Sequence, residues 1–256
     1  MSQHCVVTGG ASGMGASTAR LAAKNGFSVS ILSLERDRAA GEVLIKEISD
    51  IGGKASFFPV DVALESEVVL AYDAAVREFG IPTAAVHAAG LFVSGTILDM
   101  DVEATAHMIA VNLTGLMICC REAARHMSTD RGGTGGSIVN ITSMAATIGG
   151  RPGACAYAAT KGAVDVFTKG FAKEVARQGI RVNTIRPGAI ASPMTAALEL
   201  NPELKKSVEA SIPMGRLGTC DEIADIAVWL SSESASLVTG ALVDASGGGF
   251  NVAGSI

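Results

Sequence analysis

The stretch Cys5-Val6-Val7-Thr8-Gly9-Gly10-Ala11-Ser12-Gly13-Met14-Gly15 decides how the rest of the chain is read. A short apolar run breaks into closely spaced glycines and passes at once into a segment, Gly15 to Asn25, with apolar residues at helical spacing. Glycines stand here where backbone must come close to a ligand at a helix amino terminus. Exposed N–H groups and the positive end of the helix dipole favour an anion there, and side chains at Gly9, Gly13 or Gly15 would block it. Ser12 and Met14 sit between those glycines and share the turn. On this stretch alone, a strand-to-helix turn that binds nothing remains an alternative.

Outward from the turn, β-branched runs alternate with longer helical-period segments, the pattern of βαβ units around a parallel sheet. Strands are expected to begin at Cys5, Ser28, Ala55, Ala84, Ser137, Arg181 and Ala241. Helices are expected over Gly15 to Asn25, Asp37 to Ile51, Leu64 to Phe79, Val102 to Met127, Tyr157 to Arg177 and Asp221 to Leu230. Gly26, Gly52, Gly80 and Gly179 follow periodic segments, where a residue with positive φ stops a helix. The Gly132 to Gly136 tract reads as a turn before a strand rather than as a domain boundary. The expected fold class is α/β: a single-domain, Rossmann-like, doubly wound parallel sheet of about seven strands flanked by helices, spanning residues 1–256.

Composition excludes several classes. With 256 residues, 48% hydrophobic and 18% charged, the chain is neither disordered, collagenous nor coiled-coil. A chain of this length buries a core without disulfide or metal staples. The net charge is −5 and no lysine and arginine run could follow a phosphate backbone, so no nucleic-acid role is expected. Five cysteines (Cys5, Cys119, Cys120, Cys155 and Cys220) fit neither a disulfide framework nor a zinc spacing. No signal peptide and no uninterrupted apolar run of membrane-spanning length is visible, so a cytoplasmic location with no membrane partner is expected.

Chemistry enters at Tyr157-Ala158-Ala159-Thr160-Lys161, one of only two tyrosines in the chain. Four residues apart on a helix, the phenol and the ammonium share a face. A phenol of ordinary pKa near ~10 exchanges a proton at neutral pH only if a nearby cation stabilises the phenolate, and Lys161 is placed to do so. The preceding strand ends Asn140-Ile141-Thr142-Ser143, and polar residues at the carboxyl end of a parallel strand face the ligand crevice of such sheets. Ser143 is the natural hydroxyl partner of Tyr157.

Taken in order, Thr8 to Gly15, Asp61-Val62, Ala88-Ala89-Gly90, Asn112, Ser143, Tyr157, Lys161, Pro187-Gly188, Ile212 to Gly218 and Thr239-Gly240 to Gly248 resemble the short-chain dehydrogenase/reductase family over almost the whole chain. The resemblance implies Tyr157 as general acid/base and Ser143 as the group that holds the reacting oxygen. It implies Lys161 as a nicotinamide-ribose ligand that lowers the tyrosine pKa, and Asn112 as the anchor of a relay water. Asp61 and Val62 would contact adenine, and Ala89 and Gly90 would lie along the dinucleotide. Pro187, Gly188, Ile190 and Ser192 would also bind the cofactor, Ser192 standing where the family usually has a threonine whose hydroxyl meets the nicotinamide carboxamide. Residues 190–213 would form a variable substrate lid, a plain amphipathic surface helix being the competing reading.

The chain departs from the family at His87-Ala88, where two asparagines are usual; a buried structural histidine is expected there, with a catalytic one as the alternative. Cofactor choice rests on the end of the second strand. Ser33 stands where NAD enzymes of the family carry aspartate, Glu35 lies just beyond, and Arg36 and Arg38 are the only basic residues that could meet a 2′-phosphate. NAD is expected over NADP. Val164, Phe167 and Phe171 suggest a helix that meets another subunit, packing against the chain's own sheet being the competing reading; a homo-oligomer, with a tetramer favoured, is expected from the resemblance.

The function implied is hydride transfer between NAD(P) and a secondary alcohol or ketone, a small-molecule substrate. A non-catalytic dinucleotide sensor is the alternative, which would keep the glycine turn but has no need of tyrosine, lysine, serine and asparagine together. A serine hydrolase would need a G-x-S-x-G elbow, which does not occur, and His4, His87, His107 and His126 have no metal-binding spacing.

Overall fold

The computed structural model describes residues 3–198 and 200–249, so both ends of the expected 1–256 domain lie outside the described residues. The chain alternates β1 (Gln3–Thr8), α1 (Gly13–Lys24), β2 (Phe27–Ser33), α2 (Arg38–Asp50), β3 (Lys54–Pro59), α3 (Glu65–Phe79) and β4 (Ala84–His87). It continues through α4 (Val102–Ile109), α5 (Leu116–Met127), β5 (Gly136–Ile141), α6 (Ala145–Ile148), α7 (Cys155–Val175) and β6 (Ile180–Pro187). The last part holds β7 (Ile190–Ala191), α8 (Pro202–Ala210), β8 (Gly218–Thr219), α9 (Cys220–Ser231) and β9 (Leu242–Ala245).

Seven strands form one parallel sheet in the order β3-β2-β1-β4-β5-β6-β9. The expected α/β, Rossmann-like sheet is therefore present, and the four glycines expected to end helices all have positive φ. Strand alternation explains the two layers. Val6, Leu32, Ala85, Ile138 and Val182 turn to the face covered by α3, α5 and α7. Their neighbours Val7, Ile31, Val86, Val139 and Ile185 turn to the face covered by α1, α2 and α9. The order reverses between β1 and β4, and a doubly wound sheet opens its ligand crevice at such a point, beyond the carboxyl ends of the strands.

The segment expected as one helix over Val102 to Met127 is continuous but contains a π turn at Ala110–Gly115. Its 26 residues have a mean hydropathy of 1.4 over the most apolar window, enough by length and composition to cross a membrane. In the fold, Leu116, Cys119, Cys120, Ala123 and Met127 are instead buried against the sheet and α3. The pair β7–β8, absent from the sequence reading, closes the excursion that carries α8. That excursion has its own small apolar cluster of Val208, Ile212 and Leu217.

Candidate active site

The crevice at the switch point is a cleft of about 600 Å³. Gly9, Ser12, Gly13, Met14 and Gly15 form its floor at the start of α1, whose first turn holds no acidic residue and whose Ser12 side chain makes no capping bond. Helix N–H groups are thereby left for an anion. The glycines are required by close approach: a Cβ on Gly9, which has φ +65, would lie 2.8 Å from both N and Cα of Ala89. A Cβ on Gly15 would strike the Gly9 carbonyl. Such a cradle, which any side chain would fill, fits the pyrophosphate of a dinucleotide.

Along one wall lie Asp61 and Val62 after β3, and Ala89 and Gly90 after β4. Asp61 Oδ1 accepts from the Ala63 N–H at 2.9 Å, which sets the turn that presents this pair. Ser192 lies at the opposite lip with Pro193 and Met194, and Pro193 Cδ would be only 3.5 Å from a Cβ on Gly13. The start of the expected lid thus reaches the phosphate turn. Ile190 lines a separate cavity of about 330 Å³ rather than the cleft. Pro187 and Gly188 are in the lining of neither: the Pro187 carbonyl accepts from Met144 N–H, and Gly188 packs so tightly that a Cβ would be 2.8 Å from Ser246 Cα.

At the end of β2 the structure revises the sequence picture. Glu35 is exposed, is absent from the cleft lining and is held by Arg38 through contacts of 2.6 and 2.8 Å. Arg38 in turn lies 5.0 Å over the Phe57 ring. Ser33 does line the cleft, and its hydroxyl donates to Asp37 Oδ2 at 2.8 Å. Asp37 and Arg36, not Glu35 and Arg38, are the charged residues of this lip. The signal in the sequence was the i to i+4 spacing of Ser33 and Asp37, which is indistinguishable from an ordinary helix start.

The four residues expected to do chemistry come together beyond Gly90. A Cβ on Gly90 would lie 3.5 Å from Lys161 Nζ and 3.6 Å from Asn112 Oδ1. Lys161 is buried, donates to the Ile141 carbonyl at 3.1 Å and stands 5.7 Å from the Tyr157 ring centroid. Burial pulls its pKa down to about 8, with Asp165 pulling the other way. Burial pushes the Tyr157 phenol above its ordinary value, and Ser143 acts in the opposite direction. The lysine thus contacts a backbone carbonyl directly, with the Tyr157 ring nearby.

Asn112 owes its position to the π turn, a feature that recurs at functional sites because it re-aims one residue of an otherwise regular helix. Its Oδ1 accepts from Leu91 N–H at 2.7 Å, and its amide donates to the Leu91 carbonyl at 2.8 Å and to Thr160 Oγ1 at 3.2 Å. Both amide hydrogens are used in strutting the loop after β4 against α7, so a relay water at this side chain would have only the remaining Oδ1 lone pair. Phe92, on that same loop, meets the Tyr157 ring edge-on at 5.1 Å and lines the cleft with Val111 and Met194. Phe92 and Val111 carry no motif and were not singled out from the sequence, whereas Met194 falls within the expected lid.

His87 is fully enclosed. Asn140 Nδ2 donates to Thr168 Oγ1 at 3.0 Å, which turns Oδ1 toward His87 Nδ1, also at 3.0 Å. The imidazole therefore carries its hydrogen on Nδ1 and accepts from the Tyr72 hydroxyl at Nε2, 3.0 Å away. Burial lowers its pKa to about 4. It is the structural histidine expected, part of a polar row His87–Asn140–Thr184 across neighbouring strands.

Comparison with known proteins bears on the fold and the family. The family profile described as Enoyl-(Acyl carrier protein) reductase matches residues 9–250. The Escherichia coli (strain K12) protein named Uncharacterized oxidoreductase YgfF is 41% identical over 95% of this chain and 98% of its own. The 3beta-hydroxysteroid dehydrogenase 1 of Eggerthella lenta is 36% identical over 95% of this chain and 92% of its own. A solved short-chain type dehydrogenase/reductase from Mycobacterium ulcerans superposes with a TM-score of 0.89 at 36% identity, over 96% of this chain and 89% of that one. Likeness that runs from the phosphate turn to the last strand, in sequence and in backbone alike, assigns sheet and cleft to one ancestry: the chain belongs to the short-chain dehydrogenase/reductase family of NAD(P)-dependent oxidoreductases.

Proposed function

We propose that this protein transfers a hydride between a nicotinamide cofactor and a secondary alcohol or ketone, with Tyr157 as the general acid/base. The observation that carries the reading is the convergence of Tyr157, Ser143 and buried Lys161 where the cleft passes Gly90. When bound, the nicotinamide supplies the hydride acceptor or donor. Gly9 to Gly15 hold the pyrophosphate, Asp61 and Val62 the adenine, and Lys161 and Ser192 the nicotinamide end. Ser143 holds the substrate oxygen, and Tyr157 takes its proton in oxidation or returns it in reduction. A lysine with a pKa of about 8 is mostly ammonium at pH 7, so Lys161 supports the phenolate through space.

NAD is the preferred cofactor in this reading. The Asp37 carboxylate on the ribose lip repels a 2′-phosphate and can accept from a ribose hydroxyl, while Glu35 and Arg38 neutralise each other away from the cleft. Phe92, Val111 and Met194 suit an uncharged, apolar substrate body. The segment 190–213 acts as the substrate lid, within a single domain. Val102, Ile109 and Met117 leave an apolar stripe on α4–α5, and Val166 is 73% exposed on α7. Val164 faces the chain's own core instead, so the oligomer contact is proposed through these exposed residues, with a tetramer favoured. The five cysteines are free thiols, which supports a reducing compartment such as the cytoplasm.

The test is Tyr157→Phe in the purified protein, with NADH and NADPH titrations followed by nicotinamide fluorescence. Turnover on a panel of alicyclic alcohols should fall about 10²- to 10⁴-fold while cofactor affinity stays within about twofold. Near-wild-type turnover in the variant would refute the assignment of Tyr157. Tighter NADPH than NADH binding would transfer the ribose lip to Arg36.

A further inference from the structure

Asp165 lies one helical turn beyond Lys161 on α7 and is only 7% exposed. Its Oδ1 accepts from Thr142 Oγ1 at 3.0 Å, and its Oδ2 is 3.7 Å from Arg186 Nη1. Arg186 Nε donates to Asp244 Oδ1 at 2.6 Å. One carboxylate on α7 is thereby joined to residues of, or immediately after, β5, β6 and β9. Thr142 itself stands between Ile141, whose carbonyl receives Lys161 Nζ at 3.1 Å, and Ser143. Its N–H donates to the Ile185 carbonyl at 2.9 Å, next to Arg186. Packing a helix on a sheet does not require a carboxylate here, since a buried charge costs stability that an apolar side chain of similar size would not.

We propose that Asp165 is a positioning residue of the reaction centre, which clamps the β5 end carrying Ser143 and the Lys161 anchor and, one helical turn along α7, serves as a counter-charge to Lys161. This rests on the reading of Tyr157 and Lys161 given above. The geometric part acts through Thr142: the Asp165–Thr142 bond fixes the residue between the two backbone positions that orient Lys161 and Ser143. The electrostatic part acts along α7, where residues four apart are neighbours. The charged and titratable groups facing the pair are Tyr157 and Lys169 from α7, Arg186 from β6 and Asp244 from β9. Burial raises the Asp165 carboxyl, whereas the Thr142 bond, Arg186 and Lys169 lower it and Asp244 raises it.

The test uses full-length protein labelled with [ε-13C]lysine, the Lys161 resonance being assigned by its loss in Lys161→Arg. Its titration needs no turnover, so it reports on Asp165 whether or not Tyr157 is the acid/base; Tyr157→Phe turnover tests that reading separately. In the wild-type protein the midpoint should lie near 8. Asp165→Asn should move it down by about one pH unit, and Asp165→Glu should restore most of that shift. The alkaline limb of the kcat–pH profile should move in the same direction, with kcat at pH 7 reduced about threefold to tenfold and NADH affinity within about twofold. Thr142→Val should lower kcat while leaving the Lys161 midpoint in place, because the charge remains. A Lys161 midpoint unmoved in Asp165→Asn would overturn the electrostatic part, and wild-type kcat in Thr142→Val would overturn the clamp.

Discussion

Replacing His87 by asparagine should remove a large part of the protein's acid sensitivity. The neutral imidazole accepts from Tyr72 and donates to Asn140, so a second ring proton would put a donor against the Tyr72 hydroxyl and a charge in a dry interior. The ring therefore resists protonation down to a pKa of about 4, against an ordinary value of 6.5 when unfolded. Between those values the unfolded chain binds the extra proton and the folded one does not, so stability falls as pH falls through that window. The loss attributable to His87 is about 2 kcal/mol at pH 5.0 and about 3 kcal/mol below pH 4. His4, also buried with a lowered pKa, contributes with the same sign in both proteins and does not enter the comparison. The assay is urea unfolding followed by the single tryptophan, Trp229, at pH 7.5 and 5.0 and one protein concentration. At a slope of about 2–3 kcal/mol/M, the wild-type midpoint should drop by about 0.7–1 M more than that of His87→Asn. Whatever the substitution costs at pH 7.5 cancels in this difference. Equal drops in the two proteins would refute the account.

The phosphate turn can be tested against a glycine of similar backbone and different surroundings. Gly9→Ala should weaken NADH binding at least about tenfold, since it adds left-handed strain of roughly 1–2 kcal/mol to a collision with Ala89, whereas Gly26→Ala, at φ +88 with nothing within 4 Å, should cost stability and leave NADH titrations unchanged. Thr219→Ala removes the amino-terminal cap of α9, where Thr219 and Glu222 form a reciprocal pair, and should lower stability by about 1 kcal/mol in urea titrations. Arg216→Ala frees Glu222 from its two Arg216 contacts beside β8, so the carboxyl, now held near a pKa of about 2, should titrate at higher pH by 13C NMR of labelled glutamate.

Much of the site could be read from the chain because the family's chemistry depends on short-range spacing. Tyr157 and Lys161 share a helix face whatever surrounds them, and Gly9, Gly13 and Gly15 shape a strand-to-helix turn by their own φ freedom and lack of side chains. Where the structure departs from the reading, the deciding contacts are particular side-chain pairings, two of them within a single turn of chain, that composition and spacing do not single out. Glu35 looked like the ribose ligand until Arg38 engaged it, and Asp37 gained its place through Ser33. The Lys161 ammonium, expected near the phenol, lies near its ring and also donates to the Ile141 carbonyl, a contact that no spacing rule supplies.

The sequence by itself determined the strand and helix alternation, the parallel sheet and the position of the crevice, because period and turn chemistry are local properties summed along the chain. Only the tertiary structure decided the protonation and aim of the groups within it. Desolvation of Lys161, Tyr157 and His87 depends on how many other segments close over them. The π turn that aims Asn112 leaves no mark in residue type, and the bridge from Asp244 through Arg186 and Asp165 to Thr142 spans four segments whose meeting no spacing rule encodes.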